Sequence, residues 1–290
     1  MINFHVPGLD QSLFDFVMDW NFYMKKHPTY FYDDVRFRTF YGCFPGMIWN
    51  GGRLSTGNYM QADQIKRIIN LVEKENISLR FTLTNSLITE KHLNDTLCNK
   101  ILEFAQNGKN EILVNNPILE NYLRTNYPNY KYCLSTTACL KTIDDINEAT
   151  EKYDMVVVDY NILKNFDILN QLKNKDKIEL LVDEICDSEC PYRKMHYKLI
   201  SKSQLLEVDG NPSRCQWKPQ TDLGHFEDIF KRNLNTTITK EELYKTYKEM
   251  GFSNFKLIGR GLPFPWVLDS FLYYFVKPEF INTVKREFLR

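Results

Sequence analysis

The sequence predicts an α/β protein built as a single closed (β/α)8 barrel of the TIM type, with an N-terminal helix and an aromatic-rich C-terminal helical tail. Three observations lead there. Short apolar runs rich in β-branched, aromatic or leucine residues recur along the chain. Amphipathic helical stretches fill the gaps between them. Each run ends in a cluster of polar, amide or thiol residues, as the carboxyl ends of barrel strands do. An open doubly wound sheet is the runner-up, weakened because no Gly-x-Gly-x-x-Gly follows an early strand.

In chain order, residues 1–34 hold an amphipathic helix, marked by Leu13, Phe14, Phe16, Val17 and Trp20, expected to close the barrel bottom or pack on its side. The barrel proper is expected over 35–261. Strands are expected at 36–43, 77–85, 111–115, 131–137, 155–160, 178–185 and 254–259, with a weaker run at 225–230 as the seventh of eight. Between the first two, Ile65, Ile68, Ile69 and Val72 lie three and four apart on one helical face. Thr239 and Glu242 form a capping-box pattern ahead of Leu243, Tyr244, Tyr247 and Met250, and Gly251 marks the helix end. Residues 262–290 are an aromatic tail expected to dock on the barrel or on another subunit.

The 37 basic and 37 acidic side chains balance, which argues against a nonspecific nucleic-acid binder. The N-terminus has no basic segment followed by an apolar stretch, so no secretory signal is read there and a cytoplasmic protein is expected. The apolar stretch at 264–276 is interrupted by Asp269 and is too short to span a bilayer. A small-molecule substrate is the expected partner, and the aromatic tail allows self-association.

Seven cysteines without an export signal are read as reduced thiols or metal ligands. Cys98, Cys133 and Cys139 are expected in the core. Cys186-x3-Cys190, followed by Cys215, is the sharpest chemical signal, since soft thiolates suit iron-sulfur clusters and structural zinc. Pro191 predicts that Cys190 caps a helix starting at Tyr192. Cys43 is the preferred fourth ligand, with His196 as competitor and zinc as the alternative metal.

The strand ends supply the remaining candidates. Asp183 and Glu184 are expected as general base or substrate anchor. Asn85, Asn115, Ser135, Thr136, Asp159, Arg193 and Arg260 are expected to bind substrate, Arg193, Lys194 and Arg260 by gripping a carboxylate or phosphate. Each could equally make turns or caps in a βα loop. The loop Asn50-Gly51-Gly52-Arg53 is flexible enough to approach a ligand but lacks a P-loop ending.

The Val114-Asn115 and Leu134-Ser135-Thr136 strand ends, with the cysteine-rich loop after a Glu-bearing strand, make residues 36–260 resemble the collagenase-like peptidase family of TIM-barrel proteins. That resemblance implies a four-iron four-sulfur cluster on Cys186, Cys190 and Cys215, with Cys43, and chemistry of the kind found in RNA- and ubiquinone-hydroxylating members or in supposed proteases. The chain departs from the family in its short Cys186–Cys190 spacing and in having no large C-terminal extension.

The reading favoured from sequence is therefore an iron-sulfur barrel enzyme that modifies a small molecule or nucleic-acid base. A peptidase or zinc-dependent hydrolase is the first alternative, though neither His-Glu-x-x-His nor Gly-x-Ser-x-Gly occurs. A non-catalytic protein with a structural zinc is the second. The Cys-x3-Cys-x2-Cys spacing of radical enzymes fails at Arg193.

Overall fold

The computed structural model describes residues 1–9, 12–53, 59–205, 226 and 235–289. Eight parallel strands close on themselves in sequence order, β8 pairing with β1. They are β1 (Ile2–Val6), β2 (Val35–Gly42), β3 (Ser78–Leu83), β4 (Glu111–Val114), β5 (Lys131–Leu134), β6 (Met155–Val157), β7 (Ile178–Leu181) and β8 (Asn254–Lys256). Helices α1 (Phe14–Lys26), α2 (Ala62–Lys74), α3 (Thr96–Ala105), α4 (Pro117–Asn126), α5 (Ile143–Lys152), α6 (Phe166–Gln171), α7 (Arg193–Gln204) and α8 (Phe264–Phe275) surround them, and α9 (Ile281–Phe288) follows. The expected barrel is thus the observed one.

Two elements differ from the expectation. The barrel begins at Ile2, because Ile2-Asn3-Phe4-His5-Val6 is a strand of strict alternation in which polar residues interrupt the apolar run. Phe4 faces the helices, its ring 4.6 Å from that of Phe275. His5 faces the interior, where it meets Thr39 of β2 and Glu179 of β7. The barrel therefore closes without a strand at 225–230. Of that run only Phe226 is among the described residues, and its ring packs 5.1 Å from Trp266.

The aromatic tail is the eighth βα unit. Trp266, Phe271, Leu272, Tyr274 and Phe275 of α8 are buried, and Phe271 packs 5.6 Å from Trp20 and 5.1 Å from Phe16 of α1. Burying each such side chain contributes roughly 1.5–3 kcal/mol, so this segment is spent on the barrel's own core. The capping box forms as read: the Thr239 amide donates to Glu242 at 2.8 Å and the Glu242 amide to Thr239 Oγ1 at 3.1 Å. The helix it starts is π-helical over Glu242–Tyr247, and Gly251 follows with φ of +97°.

The barrel interior is ionic at mid-height rather than filled by branched apolar side chains. Arg80 of β3 donates to Glu111 of β4 at 2.7 Å through Nε and reaches across to Glu179 of β7. Glu179 also meets His5 Nε2 at 3.2 Å and Lys256 Nζ of β8 at 3.7 Å. Contacts between non-neighbouring strands can only run through the lumen, so these side chains plug it. Burial would raise the Glu179 carboxyl, but Arg80, His5 and Lys256 hold it down to about 2. Burial and the adjacent Arg80 push His5 well below its ordinary value, against the pull of Glu179. Among the described residues no helix is long and apolar enough to cross a membrane.

Candidate functional site: the carboxyl-terminal mouth of the barrel

Directly above the ionic plug, the strand ends surround a cavity of about 80 Å³. Tyr41 and Thr82 line it from β2 and β3, Ser135 and Thr136 from the end of β5, Glu184 from the loop after β7, and Lys256 and Arg260 from β8 and beyond. Arg53 and Tyr197 complete the wall. Arg53 arrives there because its loop lies flat on β3. A Cβ on Gly51 would stand 2.4 Å from the Thr84 backbone, and Gly52 has φ of +76°, so both positions demand glycine.

Glu184 is 5% exposed, and its Oε1 accepts the amides of Ile185 at 2.9 Å and Cys186 at 3.0 Å. Those two bonds fix the carboxylate in one orientation on the wall. The Arg53 guanidinium lies in the field of Glu184, Cys186 and Tyr197. Arg260 donates to Asn50 Oδ1 at 3.1 Å and to Thr82 Oγ1 at 2.9 Å, and its guanidinium sits 5.5 Å from the centre of the Tyr41 ring. Lys256 Nζ lies over the same ring at 4.3 Å. A positioned carboxylate, two guanidiniums and an amine thus surround one small space.

Several residues expected to bind substrate are built into the scaffold instead. Asn85 is fully buried, donating to the Ile48 and Ser201 carbonyls and accepting from the Leu87 amide. Asn115 donates to Thr137 Oγ1 at 2.9 Å. Asp159 caps the turn at Tyr160–Ile162 and binds Arg193 Nη1 at 2.7 Å. Arg193 also donates to Thr136 Oγ1 at 3.0 Å and Tyr197 at 2.8 Å, and stacks 4.0 Å over Tyr160. It therefore ties α7 to the ends of β5 and β6, while Lys194 is exposed. Ser135 and Thr136 do line the cavity.

Asp183 points away from the mouth. Its Oδ1 accepts the Ile258 amide at 2.8 Å and its Oδ2 pairs with Ser270 Oγ at 2.9 Å, linking β7, β8 and α8. Burial pushes the carboxyl up from 3.8 to about 8, with the two hydrogen bonds opposing. Because the folded value is the higher one, its stability contribution is full below pH 3.8 and is lost as pH rises toward 8. Asp183→Asn keeps both hydrogen bonds and removes that loss. Urea unfolding at pH 7 is expected to show the variant more stable, by up to about 4 kcal/mol, with the gain vanishing near pH 4.

Among the described residues the thiols do not assemble. Among the described residues no group of three His, Cys, Asp or Glu side chains could hold a metal ion. Cys43 is buried with its sulfur 3.5 Å from Thr82 Oγ1, and burial pushes its thiol up to about 11. Burial, reinforced by Glu184, pushes Cys186 up to about 12. Cys190 precedes the helix without capping it: α7 starts at Arg193 with Tyr192 as its N-cap. His196 lies within α7, and Cys215 lies outside the described residues. Cys43, Cys186 and Cys190 thus form no metal-holding group among the described residues, and the expected set is completed only by Cys215, outside them.

Sequence reasoning missed Tyr41, Lys256 and Tyr197. Lys256 carried a signal, as a lone charge between Phe255 and Leu257 inside a strand.

No protein-family model matches the chain. The uncharacterized protease MJ1657 of Methanocaldococcus jannaschii is 22% identical over 226 residues, 71% of this chain, which spans only 62% of that protein's length. The solved structure of the U32 peptidase Mk0906 matches at TM-score 0.57 and 14% identity, covering 91% of this chain and 94% of that one. The distant resemblance to the collagenase-like peptidases read from the sequence is thereby supported. Both comparisons carry peptidase names, and they overturn the favoured iron-sulfur hydroxylation reading in favour of its peptidase alternative.

Proposed function

We propose that this barrel, a distant relative of the collagenase-like peptidases, is a peptidase-type hydrolase acting at its carboxyl-terminal mouth. The observation that carries the reading is the Glu184 carboxylate, fixed by two backbone amides beside the Arg53 guanidinium on the wall of the cavity. In this reading Glu184 takes a proton from water as the water oxygen bonds to the scissile carbonyl carbon. The carbonyl oxygen becomes an oxyanion, which Arg53 stabilises in a site of low dielectric. When the tetrahedral intermediate collapses, the C–N bond breaks and Glu184 returns the proton to the leaving amine. Peptide plus water gives one new carboxylate and one new amine, and no other reactant is consumed.

Incubating the purified chain with a defined mixture of synthetic peptides and reading new termini by mass spectrometry tests this. Cleavage is expected, slowed by roughly 10²–10³-fold in Arg53→Met, the usual cost of removing one oxyanion donor. Cleavage at an undiminished rate in that variant would remove Arg53 from the mechanism, and a folded chain that cleaves no peptide would refute the reading.

A further inference from the structure

The floor of the cavity holds a group that the hydrolytic step leaves unused. Lys256 is 6% exposed, yet it lines the cavity. Among the described residues its ammonium has no acceptor within hydrogen-bond distance. Its neighbours are the Glu179 carboxylate at 3.7 Å and the face of Tyr41 at 4.3 Å. Among those residues Glu179 Oε1 has no hydrogen-bond partner of its own, so the pair is held only by this long contact and the ammonium keeps donors for a group in the cavity.

Arg260 lies near the same ring, 5.5 Å from its centre. Two cations thus lie beside one ring in a space withdrawn from bulk water, where like charges repel more strongly than at the surface. Tyr41 is held in place by its hydroxyl, which donates to the Leu257 carbonyl at 2.6 Å. Ser135 and Thr136 add hydroxyls to the same wall. An anion between Lys256 and Arg260 would give the ammonium its missing acceptor and relieve the repulsion. The cavity as a whole, about 80 Å³, has room for a small end group such as a carboxylate.

We infer that Lys256 and Arg260, set over Tyr41, form a subsite for the free terminal carboxylate of a peptide, so that the substrate enters C-terminus first. This inference rests on the hydrolase reading for its substrate class, but binding can be measured without turnover. Lys256 is faced by Glu179 from β7, Arg80 from β3, Cys133 from β5, His5 from β1 and Tyr41 from β2, with Arg260 beyond β8. Burial first, then Arg80 and Arg260, lower its ammonium to about 8 against the opposing pull of Glu179. The preference for an acid should therefore weaken as pH rises through that value.

The test is calorimetric titration of the full chain carrying Glu184→Gln with matched tripeptide acids and tripeptide amides, spanning apolar, acidic and basic C-terminal residues. The acids are expected to bind at least about tenfold more tightly than their amides at pH 6.5. Lys256→Met should cut the preference at least about fivefold, leaving Arg260 as the remaining cation. Lys256→Gln is read beside it, because its amide keeps a donor toward Glu179 should the methionine variant fail to fold. In the parent chain the preference should also fall between pH 7 and 9. Equal binding of acids and amides, or a preference undiminished by loss of the amine, overturns the inference. If acids are preferred but no peptide is ever cleaved, the hydrolase reading fails and the carboxylate subsite stands.

Discussion

Arg80→Met is expected to cost about 3–5 kcal/mol of folding stability, the range for removing one partner from a buried ion pair. Arg80 is the only described cation that touches both Glu111 and Glu179. Removing it leaves two buried carboxylates, with Arg38 at 3.8 Å from the first and His5 and Lys256 beside the second. Against a typical total of about 5–15 kcal/mol, that loss is large. The pH dependence identifies the cause. In the wild type, the lowered Glu179 value contributes stability present above 4.5 and lost as pH falls toward about 2. Without Arg80 the carboxyl is raised by burial, so its stability contribution is lost as pH rises. Urea midpoints of wild type and variant should therefore converge as pH drops below 4.5. A deficit that stays constant with pH would mean the loss comes from packing rather than from charge.

Glu184→Gln is expected to lower peptide turnover by about 10²–10⁴-fold, the usual contribution of a positioned acid–base group. The glutamine oxygen can still accept the Ile185 and Cys186 amides, so stability should change by less than about 1 kcal/mol. Turnover at full rate in a stable variant would show that the proton goes elsewhere. A loss of activity matched by a loss of fold would show instead that Glu184 holds the loop after β7.

The fold was legible because the two periods that define it, two for strands and three to four for helices, are written in apolar side chains. β1 escaped because Asn3 and His5 point into a lumen that is polar at that height, which breaks the apolar run. The same reversal hid Lys256. The mouth itself was legible, since polar clusters after strands mark that face in any such barrel. Which cluster members face the cavity was not. Asp183 and Glu184 are adjacent in extended chain and so point opposite ways, one toward Ser270 and the other toward Arg53, but the alternation does not say which of the two faces the cavity. Arg193 read as a substrate clamp because guanidinium chemistry suits carboxylates. Its carboxylate is the chain's own Asp159. Spacing alone did not show that Cys43 is held beside Thr82 in the core.

The most direct test compares turnover of one cleaved peptide by Glu184→Gln and by Asp183→Asn, both confirmed as folded. With hydrolysis at the mouth, Glu184→Gln is slowed about 10²–10⁴-fold, while Asp183→Asn retains wild-type turnover and is the more stable protein at pH 7. Turnover lost in Asp183→Asn and kept in Glu184→Gln would contradict the assignment and place the chemistry on the outer side of β7.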